Sequence, residues 1–360
     1  LEQALSLTAG AITSTGGTLS FSGGLTLGSS GALDVTGSTL SVSGALDLSS
    51  GTFSSDNNSM LDLQAATTLS ANDQVTGQNP VTFEDVHFNG NVLTLGSAST
   101  HMKVNDALAL SGIALETGAG SLTLSGALAL TDNASLNSSG GTITLKSGGT
   151  STGSVVSLPG TTLVLENPLS LTGATLKTKN TTLTTNANAL TLSGGILEVE
   201  GVQDLSGVLP DNSTTLRLAA NSTIDDNASL SVGTLDLANF ALTLDDNMSS
   251  LSVAQPVTLD NTGEKIVTGA ADLSLNGGIS ATAGTLSSTG GTLSLGGATF
   301  LIGAGADLAD ATSTDTSGDR LNIELTPSTL AGGNYQVDDF RLKVINHNLG
   351  TVTPMLLELN

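Results

Sequence analysis

Residues 8–20 read TAGAITSTGGTLS, and residues 282–294 read TAGTLSSTGGTLS, 274 positions further on. A motif kept across that distance signals an internal repeat, and 274 is about thirteen units of roughly 21 residues. The interval between the two copies carries the same period. Leu-x-Leu doublets fall at Leu25/Leu27, Leu46/Leu48, Leu108/Leu110 and Leu128/Leu130, with spacings of 21, 62 and 20. Ser43-Gly44-Ala45-Leu46-Asp47-Leu48 returns as Ser125-Gly126-Ala127-Leu128-Ala129-Leu130. Apolar residues also recur near every seventh position, as at Leu5, Ile12, Leu19, Leu33 and Leu40. That spacing is compatible with a helical heptad, but the residue types are not. Gly and Thr interrupt every stretch, and Gly costs a helix interior about 1 kcal/mol relative to Ala.

The local pattern is alternation. Thr18-Leu19-Ser20-Phe21, Leu40-Ser41-Val42 and Leu122-Thr123-Leu124 place apolar side chains on one face only, and Gly, Ser or Asn bounds each run, as expected of short strands. Three such strands and three corners make one unit, and Gly-containing pairs supply the positive φ that corners need. A unit this short buries no core alone. Stacked units, each strand parallel to its counterpart in the next, close a continuous Leu/Val/Ile interior. The predicted fold is therefore all-β: a parallel β-solenoid (β-helix) with about 20–21 residues and three short strands per rung. Right-handed coiling is expected from the handedness of parallel crossovers.

Composition narrows the function. The chain has 360 residues, 38% of them apolar, so regularly placed Leu argues against disorder. Acidic residues number 32 against 9 basic, a net charge of -23, which lacks the Lys/Arg footprint of a nucleic-acid binder and disfavours anionic lipid. No apolar run is long enough to span a membrane. With no Cys, disulfides and thiolate metal sites are excluded. Three His, no nucleophile elbow, no phosphate loop and no zinc spacing leave catalysis unsupported, and no enzyme is expected.

The SGAL runs (43–46, 125–128), the STGGTLS runs (14–20, 288–294) and NATL-like runs are similar to the Gly/Ser/Thr-rich passenger regions of bacterial autotransporters and of large filamentous-haemagglutinin-type adhesins. The likeness covers residues 1–310 or so. It implies a secreted protein of a bacterial surface and carries over no functional residue.

The solenoid is expected over 1–311, and a non-repetitive β segment over 312–360, where composition changes. The latter holds Arg320, Arg341, Lys343 and the sole Tyr, Tyr335. Three amphipathic runs there (320–325, 340–345 and 352–359) read as longer strands. Such a segment caps the open sheet edge of a solenoid, or pairs with the open rung of a neighbouring subunit. Candidate assembly residues are Tyr335, Phe340, Arg341, Lys343, Met355, Leu356, Leu357 and Leu359.

Four other features are weighed. Asp225-Asp226-Asn227 is followed twenty residues on by Asp245-Asp246-Asn247; stacked one rung apart, Asp225, Asp226, Asp245 and Asp246 are weak candidates for calcium, a solvated corner being the bland reading. Residues 72–106, with Phe83, His87, Phe88, His101 and Met102, suggest a wider section filled by bulky side chains. Residues 146–160, KSGGTSTGSVVSLPG, are expected as a loop beside the rod. The run 181–185 resembles the Thr face of ice-binding solenoids, but equivalent positions elsewhere read as Ser, Asp, Ala and Gly, so no such face is expected.

The expected function is an extracellular structural or adhesive rod of a bacterial cell surface, a spacer or fibre subunit. Its partners would be copies of itself, end to end, or host or surface glycans. The alternative is a carbohydrate-binding or polysaccharide-degrading β-helix, a reading that would gain if His87, His101 or Arg217 lay in a cleft with Asp residues.

Overall fold

The computed structural model describes residues 3–71, 80–185, 189–225, 229–245, 250–288, 292–296, 299–310 and 320–323. Among them the secondary structure is all β, without a helix, and every strand pairing is parallel. The chain winds as a β-solenoid of about 13 turns, with three walls of stacked strands and a corner between each pair of walls. No helix among the described residues is long and apolar enough to cross a membrane.

One inward row of the first wall shows how sequence becomes core. Leu115, Leu136, Val156, Leu176, Leu197, Leu216 and Leu235 are partners in successive rungs. All are buried. Their separations of 19 to 21 residues match the predicted unit. Each buried Leu contributes about 1.5–3 kcal/mol relative to exposure, and from Leu115 to Leu216 each has a Leu or Val directly above and below. The period lengthens where a corner holds more chain: Leu61 pairs with Val86, and Leu242 with Ile266.

The second and third walls follow the same alternation. Strands Ser121–Leu124, Thr142–Leu145 and Thr162–Leu165 bury every second residue. Leu128–Thr131 and Leu169–Thr172 do so in the third wall. Corners bring hydroxyls inward to satisfy the turning backbone. Thr181 Oγ1 donates to the Leu158 carbonyl at 2.6 Å, and Thr161 Oγ1 to Ser138 Oγ at 2.8 Å, with all three side chains buried.

The two copies of the repeated motif share a backbone shape. Leu5–Thr13 and Gly278–Ser288 each run continuously through the first and second walls with a bulge between them. Gly10 and Gly284, at equivalent motif positions, have φ of 89° and 82°, in the left-handed region that favours Gly.

Residues 146–160 depart from expectation. They contain two strands within the walls, Gly149–Thr152 and Val155–Ser157, with Ser151, Val156 and Leu158 buried. The inward pair of the third wall is Gly149 and Ser151 there, where neighbouring rungs carry Leu128/Leu130 and Leu169/Leu171. Without Leu the stretch reads as a loop. Stacking on both sides nevertheless holds it as strand.

The bulky residues of 72–106 fill the interior as expected: Phe83, Phe88 and Met102 are buried. Phe53 and Phe83 meet at 6.1 Å between ring centres. Residues 72–79 lie outside the described residues.

Candidate functional site

The three groups named for a polysaccharide-active cleft stand on three different walls. His87 belongs to Asp85–His87 in the third wall. His101 begins His101–Val104 in the second. Arg217 lies in the first, where its Nε donates to Asp236 Oδ2 at 2.8 Å. The solenoid thus separates them rather than gathering them. His87 meets a carboxylate of its own strand, its Nε2 lying 3.0 Å from Asp85 Oδ2. A corner carrying Asn89 and Gly90 at positive φ stands beside them, anchored by Asn89 Nδ2, which donates to Asp62 Oδ1 at 2.7 Å. Together with Ala107, Ser111 and Ile113 these residues line a shallow depression of about 420 Å³.

The acidic column is real but longer than the sequence suggested. Ile224 pairs with Leu244, and the Asp245 N–H donates to the Ile224 carbonyl at 3.0 Å, so Asp245 follows Asp225 one rung on. On the other side Asp204 pairs with Asp225. Sequence reading missed Asp204 because no Asp-Asp-Asn run marks it. Among the described residues no group of three or more His, Asp or Glu is placed to hold a metal ion. Asp226 and Asp246 lie outside the described residues.

Carboxylates elsewhere are spent on corners. The Gly37 N–H donates to Asp56 across a rung at 3.0 Å. With the Ser59 hydroxyl at 2.8 Å and the Asn58 amides, it draws the Asp56 carboxyl down to about 2. Asp211 is held well below the usual carboxylate range, first by the Ser213 hydroxyl.

The outer row of the first wall carries charges of alternating sign. Lys177, Glu198, Arg217 and Asp236 are partners in successive rungs, with Lys177 Nζ 3.1 Å from Glu198 Oε1. Lys179 and Glu200 form a second pair beside them. In a parallel stack identical positions face each other, so alternation removes like-charge contacts.

The second wall carries the opposite kind of surface. Register places Thr182 and Thr184 on Thr162 and Val164, these on Thr142 and Thr144, and Thr123 beneath Thr144. The Ser121 hydroxyl accepts the Thr142 N–H at 3.1 Å. Four consecutive rungs thus present Ser/Thr, with one Val, at both outward positions, whereas other rungs of this wall carry His101, Lys103, Asp204, Asp225, Ala241 and Lys265, the mixture expected of the equivalents of 181–185. Residue spacing alone hid the four-rung run, because the unit varies between 20 and 21 residues along the wall.

The candidate assembly residues Tyr335, Phe340, Arg341, Lys343, Met355, Leu356, Leu357 and Leu359 lie outside the described residues. Of the tail, Arg320–Ile323 is described, and it is a strand lying parallel on Thr292–Leu295.

Fold and surface together define a parallel β-solenoid protein. Compared with protein-family models, curated proteins and solved structures, the chain matches none.

Proposed function

We propose that this chain is an extracellular structural or adhesive rod of a bacterial cell surface, a spacer or fibre subunit joined end to end by β-strand pairing. The observation that carries this reading is the likeness of the first rung to an interior one. Leu5, Leu7 and Ile12 occupy the motif positions of Ile279, Ala281 and Leu286. The latter three are buried between rungs, whereas Leu5, Leu7 and Ile12 are only partly buried. Among the described residues Leu5–Thr13 pairs with Leu25–Asp34 and Thr18–Phe21 with Thr39–Val42. In the interior copy of the motif the same apolar row receives a rung on each side, and this is the kind of strand contact that end-to-end pairing would use. Acidity of -23 suits such a role by keeping rods apart laterally.

Electron microscopy and sedimentation of the purified chain test this. Filaments that lengthen with concentration, and that revert to single rods on Ile12→Lys, are expected. Discrete rods at every concentration would overturn the reading. Carbohydrate binding is the second reading, favoured by the Asp85/His87 depression; glycan binding abolished by Asp85→Asn, without filaments, would establish it instead.

A further inference from the structure

We propose that the hydroxyl face of the second wall, over strands Ser121–Leu124, Thr142–Leu145, Thr162–Leu165 and Thr182–Thr184, is a surface for a two-dimensionally ordered water lattice, that is, for ice. It does not rest on the end-to-end contacts.

Three features carry it. The first is regularity. Parallel in-register pairing sets neighbours along each row about 4.8 Å apart, and the two rows lie about 6.6 Å apart, two residue rises along a strand. Both distances are close to the oxygen repeats on a prism face of hexagonal ice. Thr is β-branched and stiff at χ1, so hydroxyls and methyls hold this grid without further ordering. The second feature is availability. Thr123, Thr142, Thr144, Thr162, Thr182 and Thr184 are half-buried or exposed. Their hydroxyls make no hydrogen bond within the described residues, unlike the third wall, where Ser170 and Thr191 hydroxyls bond each other at 2.9 Å. The third is charge. In a chain of net charge -23 the two outward rows of these four rungs carry none; the patch is bordered by the exposed Lys146 and Glu166, which follow the strands, and ends where Lys103 stands in register with Thr123.

Other occupants fit less well. Two rows over four rungs cover a few hundred Å², below the roughly 800 Å² per partner of a stable protein interface. No outward aromatic offers a platform to a sugar ring, and no fixed charge within the two rows offers a partner to an ion.

The test is cryoscopy of the full chain on single ice crystals, with partition of labelled protein into growing ice. Faceted growth, a gap between melting and freezing points and enrichment in ice are expected. The double variant Thr144→Lys/Thr162→Lys should lose all three while keeping its circular dichroism melt, and either single variant serves if the double one folds poorly. Ser170→Lys/Thr172→Lys on the third wall should keep them. Growth indistinguishable from that with an inert protein, activity surviving the second-wall variants, or activity lost with the third-wall variant would each overturn the proposal. Binding to an insoluble neutral polysaccharide, lost with the same second-wall variants and without effect on ice, would assign the face to a glycan and overturn it as well.

Discussion

Gly10 and Gly284 hold one motif position and one backbone shape, yet their surroundings differ. A Cβ at Gly10 meets nothing within 4 Å, whereas one at Gly284 lies 2.6 Å from the Glu264 carbonyl oxygen. Gly10→Ala therefore carries only the left-handed strain of an L-residue, about 1–2 kcal/mol. Gly284→Ala adds a backbone clash and should cost clearly more; urea denaturation of the two variants, side by side, measures the difference. Equal losses would show that conformation alone governs both sites. Asp56 gives a pH test. Its carboxyl is lowered from 3.8 to about 2, chiefly by the Gly37 N–H that crosses between rungs. A folded-state value below the unfolded one means that its stabilisation is complete above about 3.8 and is lost as pH falls through about 2. Asp56→Ala should thus melt a few degrees lower at neutral pH, and the gap from the parent should close near pH 2. A gap that persists in acid would assign the loss to packing instead.

Strands and walls are the scale at which the sequence was most readable, and also where it misled. Inward Leu, Ile and Val keep both the alternation and the unit length, so the three-walled solenoid was legible from doublets such as Leu108/Leu110 and Leu128/Leu130. Gly149 and Ser151 erased that signal in one strand. The outward surfaces were far less legible. Their meaning depends on which residues stack, and a unit that drifts by one residue moves every partner. Asp204 over Asp225, and Thr144 over Thr123, emerge only from register. The charged row of the first wall tests how far such surface stacking holds the register. Glu198→Lys would line up three cations about 4.8 Å apart, the new side chain standing between Lys177 and Arg217. These side chains are partly exposed, so the expected loss is about 1 kcal/mol. It should shrink in high salt and be partly restored by adding Lys177→Glu, which leaves the contact with Arg217 as the one like-charge pair. A loss unchanged by salt would exclude electrostatics as its cause.

At the scale of the molecule, each rung touches only the rungs on either side, which makes stability a sum of unit and interface contributions. Deleting one complete unit should then leave a folded, shorter rod. Residues 146–165 form such a unit. The Lys146 N–H donates to the Leu124 carbonyl and the Glu166 N–H to the Leu145 carbonyl, so Glu166 can follow Leu145 with the same corner geometry. The deletion removes one strand from each wall: Gly149–Thr152, Val155–Ser157 and Thr162–Leu165. It also brings Leu128 and Leu130 onto Leu169 and Leu171, eliminating the small inward pair Gly149/Ser151 of the third wall and the buried Ser151 hydroxyl, which has no hydrogen-bond partner among the described residues. An unsatisfied buried hydroxyl costs about 1–3 kcal/mol, so the shortened rod should melt no lower than its parent. Small-angle scattering should find it shorter by about 4.8 Å. Deleting residues 146–155 alone removes half a unit, throws every later strand onto the wrong wall and should abolish the cooperative melt. If the two deletions behaved alike, rungs would not be interchangeable units, and the stability of the rod would lie in contacts that span more than neighbours.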